Sequence, residues 1–253
     1  MKSYLFLAIL AVALVFSSCK KDDKPANTDP TYGDLVLRIE HVWGMNAVPI
    51  DINQKIYHPK TQDTVTLTKF QYYISNIEVK KAGGDWYVEP DSYHLIDLAE
   101  PASMLIMFKD IPTGNYDEIK FVMGVDSLHN IGGDQTSDLN PSLGMFWNFT
   151  DGYIMIKAEG DSPNSPTGKF KYHLGGFAGP YKNVLEKYQS FSNSPAVVNE
   201  TQPVSIILEA NPAKLWHNYG SISNGYEITV PGPEAHEMGF DFQDAVRVSQ
   251  ILN

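Results

Sequence analysis

A two-residue apolar rhythm, recurring along most of the chain, narrows the fold more than any other feature. Leu35, Leu37, Ile39 and His41 alternate with Val36, Arg38 and Glu40, and Ile119, Phe121, Met123 and Val125 alternate just as cleanly. Successive side chains of a strand point to opposite faces, so each run reads as a strand with one buried face. In the first run that face includes His41. A longer run spans residues 64–80, and its apolar set passes from Phe70, Tyr72 and Ile74 to Ile77 and Val79. The change of parity predicts a bulge near Ser75-Asn76. Further strand runs fall at 93–98, 103–108, 153–159, 169–174 and 204–209, with a turn at 111–115. Helix signals are sparse. A turn or two fits 181–188, a short helix fits 213–216 behind Asn211-Pro212, and another fits 234–240. The expectation is an all-β fold, an antiparallel β-sandwich with a few short helices and long loops at 127–144 and 178–202.

The chain has one cysteine, and its position is telling. Lys2 precedes an apolar run over residues 4–16, which ends in Ser17-Ser18-Cys19. That run is too short to span a bilayer, and the pattern reads as a lipoprotein signal over 1–18 with acylation of Cys19. Residues 19–32, charged and proline-containing, read as a flexible tether. Residues 33–253 read as one domain. Lys21-Asp22-Asp23 resembles the export signal of some outer-surface lipoproteins, so the expected location is the outer membrane, on either of its faces. With 19 basic against 30 acidic residues the formal net charge is −11, which disfavours nucleic acid as a partner. A lone cysteine allows no internal disulfide, so the apolar core must hold the fold.

No nucleophile elbow, phosphate loop or paired metalloprotease histidines occur, and a non-enzymatic role is expected. Oxygen donors alternate over 134–140, but the glycine and closing glutamate of an EF-hand loop are missing, and a solvated loop fits better. Imidazole is a good copper donor, and thioether sulfur suits Cu(I). The chain offers His41, His58, His94, His129, His173, His217 and His236. No two lie at close ligand spacing, so any metal site has to be assembled from distant strands.

Several short motifs carry a resemblance. They are Gly124-Val125-Asp126, then Met145-Phe146-Trp147-Asn148-Phe149 with Gly152-Tyr153, and then His173-Leu174-Gly175. Arg38-Ile39-Glu40-His41 and Tyr72-Tyr73-Ile74-Ser75-Asn76 add to them. Together they resemble the MbnP-like copper-binding domain family, associated with methanobactin operons, over most of the chain. The resemblance implies a lipid-anchored protein for copper acquisition or buffering. It implies copper held by histidines together with a tryptophan oxidised to kynurenine, through a di-haem peroxidase-like partner. The matching positions are His41, Trp147 and His173, with Trp43 as the alternative tryptophan and His129 as a further ligand. Where the family's methanotroph-type members carry an Asn-His pair, this chain reads His129-Asn130. The expected site brings His41 and His173 together at one end of the sandwich with Trp147 nearby.

On residue type alone each position also has a plainer reading. His41 suits a hydrogen-bonded core histidine, Trp147 a packing residue, and His173 a surface position in step with Lys171. The alternative function is a metal-free surface lipoprotein that binds glycans or proteins, with Trp43, Trp86, Tyr87, Trp147 and Trp216 as stacking platforms.

Overall fold

A computed structural model describes residues 30–90, 92–132, 136–148 and 150–253; the signal segment, Cys19 and the tether up to residue 29 lie outside the described residues. Thr31–Asn253 forms one compact unit. In chain order it contains β1 (Tyr32–Trp43), β2 (Val48–Pro49), β3 (Lys55–His58), β4 (Asp63–Lys81), β5 (Trp86–Val88), β6 (Tyr93–Asp97), β7 (Leu105–Pro112) and β8 (Gly114–Met123). Then come α1 (Ser127–Gly132), β9 (Phe146–Asn148), β10 (Gly152–Asp161), β11 (Lys169–Gly175), β12 (Leu185–Ser190) and β13 (Ala196–Val198). The chain closes with β14 (Val204–Ala210), β15 (Glu227–Ile228), α2 (Pro233–Ala245) and β16 (Arg247–Leu252).

Two sheets result, as the alternation requires. In the smaller, β1 lies between β14 and β7, with β16 beyond β14 and β2 against the end of β1. The larger runs β12-β8-β4-β10-β11-β15, with short strands added to β4, β8 and β10. Leu35, Leu37 and Ile39 of β1 pack into one buried cluster with Phe70, Tyr72 and Ile156 of the larger sheet. Burial of each such side chain stabilises the fold by roughly 1.5–3 kcal/mol. The sheets are of mixed orientation, which departs from the expected antiparallel arrangement. β1 pairs with β14 in parallel, Leu35 opposite Val204 through His41 opposite Ala210, and β11 pairs with β15 in parallel.

The bulge in β4 is present. Pairing with β8 slips between Ser75 and Glu78, and Asn76 adopts φ 50°, a left-handed conformation that asparagine tolerates better than most residues. Beside it the far face of the larger sheet turns apolar. Tyr73, Tyr153 and Met155 form a second cluster with Leu139 and Met145. The excursion between β8 and β10 covers them, so 127–144 is no open loop: it contains α1 and two single 3-10 turns. Segment 178–202 likewise contains β12 and β13, and the helix expected within 181–188 is instead the start of β12. The short proline-led helix expected at 213–216 is the 3-10 turn Pro212–Trp216, and the helix expected at 234–240 is the longer α2, 13 residues over Pro233–Ala245.

Candidate functional site

Three of the four expected site residues lie on the far face of the larger sheet, and the fourth lies inside the sandwich. Across the strands, Tyr72, Ile156 and Leu174 make one row and Gln71, Lys157 and His173 the next. The first row packs into the main core, so by strand alternation the second points away from it. His41 is on the core side. Its Nε2 is 3.1 Å from the Tyr72 hydroxyl, and its ring meets Phe70 and Tyr72 edge-on at 5.9 and 5.7 Å. The expected approach of His41 to His173 therefore does not occur, because the larger sheet separates them. Parity places a residue on one side of its own strand but does not say which sheet it faces.

His41 is 5 % exposed, and its Nδ1 has no hydrogen-bond partner. An unsatisfied buried polar atom costs about 1–3 kcal/mol. Burial pulls the His41 pKa down to about 4, so the ring is neutral at physiological pH.

On the far face the chain leaves β8 through Gly124 and reaches Asp126, which caps α1. Its Oδ1 accepts from the backbone N–H of Leu128 at 2.9 Å and of His129 at 3.2 Å, satisfying donors that a helix start leaves free. The same carboxylate accepts from Asn76 Nδ2 at 3.1 Å and from the Tyr93 hydroxyl. The left-handed Asn76 at the bulge is what brings its amide there. His129 Nδ1 lies 3.2 Å from both Asp126 oxygens and 2.6 Å from the Tyr93 oxygen. Burial pushes the Asp126 carboxyl up, but the hydrogen bonds from Tyr93, Asn76 and His129 outweigh it and hold the pKa at about 2. Burial and Asp126 both raise the Tyr93 pKa. An ionised carboxylate only accepts, so the Tyr93 hydroxyl keeps its proton and donates a hydrogen bond to it. His129 Nδ1 must then carry hydrogen, and its Nε2 has no hydrogen-bond partner among the described residues.

Asn130 fixes α1 in place. It is fully buried, donates to the carbonyls of Val125 and Asp126 at 2.7 and 2.8 Å, and accepts from Tyr153 N at 2.8 Å. The helix is thereby fastened to the start of β10. β9 pairs with the same stretch, Asn148 opposite Gly152. Trp147 lies over Gly175 of β11, where a Cβ would stand 2.8 Å from Trp147 Cη2. Only glycine leaves room for the indole there. Gly175 is two residues beyond His173, so the indole lies on the same face, roughly 7 Å along the strand.

His173 is held in the way His129 is. Its Nε2 donates to Glu159 Oε1 at 2.7 Å. Burial raises the Glu159 carboxyl, but the His173 hydrogen bond and the charges of His173, Lys157 and Lys69 bring it below its ordinary value. Burial also lowers the His173 pKa, against the pull of Glu159. A neutral ring with Nε2–H bound to an ionised carboxylate presents its Nδ1 lone pair. Carboxylates that orient the far nitrogen of a metal-binding imidazole are the usual support of such ligands. Asp126, Tyr93 and Glu159 are the functional neighbours that the sequence reading missed. The Asp126-to-His129 spacing behind a helix start carried a readable signal; Glu159 and His173 meet across two strands and carried none.

These donors fit copper in kind but do not converge on one centre. No hydrogen bond or ring contact joins His129, Trp147 and His173. Among the described residues no three His, Cys, Asp or Glu side chains gather as a metal-binding group. Recesses occur elsewhere, including a hollow of about 480 Å³ at the end of β1 lined by Met45, His58, Ala213 and His217. His58 has both ring nitrogens engaged, with the Ala213 carbonyl at 2.9 Å and Thr61 N at 3.1 Å. The other tryptophans offer little open surface. Trp43 and Trp216 are buried, and Trp86 is flanked by Lys80 and Lys120 ammonium groups at 5.6 and 5.2 Å and by the Tyr188 ring.

Comparison with known proteins agrees with this architecture. The MbnP family model matches residues 32–231. Among solved structures, MbnP from Methylosinus trichosporium is similar in fold, with a TM-score of 0.55 and 14% identity, over 78% of this chain and 82% of that chain. No curated protein matches the sequence. With the family model covering nearly all of the β-sandwich, the chain belongs to the MbnP family.

Proposed function

We propose that this protein is a non-catalytic, lipid-anchored copper-binding protein that serves copper acquisition or buffering. Membership of the MbnP family suggests a methanobactin-related role. The observation that carries the copper reading is the pair of imidazoles, His129 and His173, each held by a carboxylate at one nitrogen and free at the other. Both lie on the sheet face that carries Trp147. Indole nitrogen is no metal ligand, whereas the aniline nitrogen and ketone of an oxidised, opened ring are donors. Conversion of Trp147 would place such donors beside His173. The conversion needs an external oxidant, for which a di-haem peroxidase-like partner is the expectation, since the chain has no Cys-x-x-Cys-His for haem attachment. His41 becomes a structural residue in this reading.

Protein purified from its own host should contain copper and show an intact mass changed by oxidation of one tryptophan. His129→Ala and His173→Ala should each lower copper content with the fold retained, and His41→Ala should not act through the metal. Unmodified protein free of copper, or copper lost only in the His41 variant, would refute the assignment. The glycan-binding alternative draws less support, because two of its proposed platforms, Trp43 and Trp216, are buried and Trp86 is covered by lysines.

Anchoring through Cys19 rests on the apolar run and its terminal Ser17-Ser18-Cys19. Acyl chains contribute roughly 0.8 kcal/mol per buried methylene, so two or more hold a protein firmly. Cys19→Ala should move the protein from the membrane to the soluble fraction. Retention in the membrane fraction at the parent's level would show that something else anchors it.

A further inference from the structure

On the face that carries the imidazoles, three tyrosines have no part as ligands in the copper reading. Tyr73 of β4 stands opposite Leu95 of β6, and Ser75 opposite Tyr93, so Tyr73 and Tyr93 share one face of the sheet. They are diagonal neighbours, about 7–8 Å apart by strand geometry and within reach of each other's rings. Tyr73 meets the Tyr153 ring of β10 edge-on with centroids 5.5 Å apart, and Tyr153 meets Phe146 of β9 at 4.9 Å. Trp147 is the next residue, and it packs against the same cluster. The rings form a series from Tyr93 to the tryptophan whose oxidation is proposed above. The three phenols differ in what can take their proton. Tyr73 and Tyr153 are buried and donate to the backbone carbonyls of Asp138 and Leu139, at 2.9 and 2.6 Å. A carbonyl oxygen accepts a hydrogen bond but is too weak a base to remove a proton. Tyr93 is half-buried, and its hydroxyl donates to the Asp126 carboxylate, a base already within hydrogen-bond reach. A phenol that loses an electron becomes a strong acid, and it persists as a neutral radical only where a base takes the proton. In this series Tyr93 alone meets that condition.

We propose that Tyr93 is a redox relay through which Trp147 is oxidised, which rests on the reading of Trp147 as the oxidised residue. A one-electron oxidant of the high-potential haem class, held by the partner, takes one electron from Tyr93. The phenolic proton moves to Asp126, leaving a neutral tyrosyl radical and a carboxylic acid. One electron then passes from Trp147 through the Tyr153 and Tyr73 rings to the radical. Tyr93 takes its proton back from Asp126, and the indole releases its N–H proton to solvent. In sum Trp147 loses one electron and one proton, and the oxidant gains one electron.

An oxidant can be placed beside Tyr93 by attaching a ruthenium polypyridyl to Leu128→Cys, an exposed position of α1, in the full, metal-free chain carrying Cys19→Ala. After a flash with a sacrificial electron acceptor, electron paramagnetic resonance should show a tyrosyl radical that gives way to an indole radical. Peptide mass mapping should place the stable oxidation on Trp147. Tyr93→Phe keeps the ring, and it should abolish the tyrosyl signal and slow oxidation of Trp147. Asp126→Asn keeps a helix-capping side chain and should slow formation of the radical roughly a hundredfold. Trp147→Phe removes the electron donor and should prolong the radical's lifetime. Tyr188→Phe removes another tyrosine that donates to a carboxylate, Glu118, and should change neither signal. Circular dichroism of each variant confirms that the fold is kept. The relay is overturned if no tyrosyl radical forms, if Trp147 is oxidised as fast in Tyr93→Phe as in the parent, or if Trp147→Phe leaves the radical's lifetime unchanged. Transfer that works in this protein, with Trp147 unmodified in protein from its own host, supports the relay and refutes the copper reading instead.

Discussion

Acidification from pH 7 to pH 4 should cost the folded domain about 3 kcal/mol through His41 alone. The folded ring resists protonation down to about pH 4 because burial penalises the charged form. In the unfolded chain the same ring takes a proton near pH 6.5. Below that pH the unfolded state binds a proton that the folded state refuses, so stability falls as pH drops. The His41 contribution is complete above about pH 6.5, is lost progressively towards pH 4, and changes no further below it. His58 and His173, whose pKa values are also lowered chiefly by burial, add slope of the same sign. Asp126 acts in a separate, more acidic window. Its stabilisation is present above the ordinary carboxylate pKa and is lost as pH falls towards about 2. Urea unfolding midpoints at pH 7, 5.5 and 4 check this directly. His41→Leu should remove most of the slope between pH 6.5 and 4, whatever it does to stability at pH 7. An unchanged slope in that variant would mean that His41 does not stay neutral in the core.

Trp216→Ala should be the most damaging of the simple truncations, at about 3–5 kcal/mol. The residue is fully buried, and its ring meets Trp43, His58, Phe170 and Tyr172 at centroid distances of 6.0, 6.2, 5.6 and 5.9 Å. Those rings come from β1, β3 and β11, so removing the indole opens a cavity where both sheets meet. For a domain of this size the loss corresponds to roughly 10 °C in Tm. A thermal melt that shifts by only a degree or two would point instead to a surface role, as the stacking-platform reading of Trp216 requires.

Much of the sheet architecture was legible because half-buried strands write their geometry into the chain. β1 and β8 alternate cleanly, and the parity change in β4 located its bulge. β12 was misread because it carries no such record. Lys187 and Gln189 alternate there with Glu186, Tyr188 and Ser190, and an edge strand that buries so little shows no apolar period. β16 is similarly exposed and was not anticipated. The strands of two or three residues are too short to have a period at all. Burial of His41 followed from its parity, and so did the outward placement of His173 in step with Lys171. Their separation by a whole sheet depends on how the two sheets face each other, which no local pattern records. The same holds for Glu159 and His173, which meet only once β10 and β11 are in register.

β1 occupies the middle of the smaller sheet yet takes its parallel neighbour from residues 204–210. Joining segments so far apart in the chain is entropically slow, and topologies dominated by such contacts fold late. The larger sheet has no such dependence over β4, β8, β10 and β11, which lie within residues 63–175. During synthesis β1 must therefore wait with an open edge until residues 204–210 have been made. An exposed strand edge can pair with another chain. The hazard of misassembly therefore falls on β1, and the remedy is held by β14.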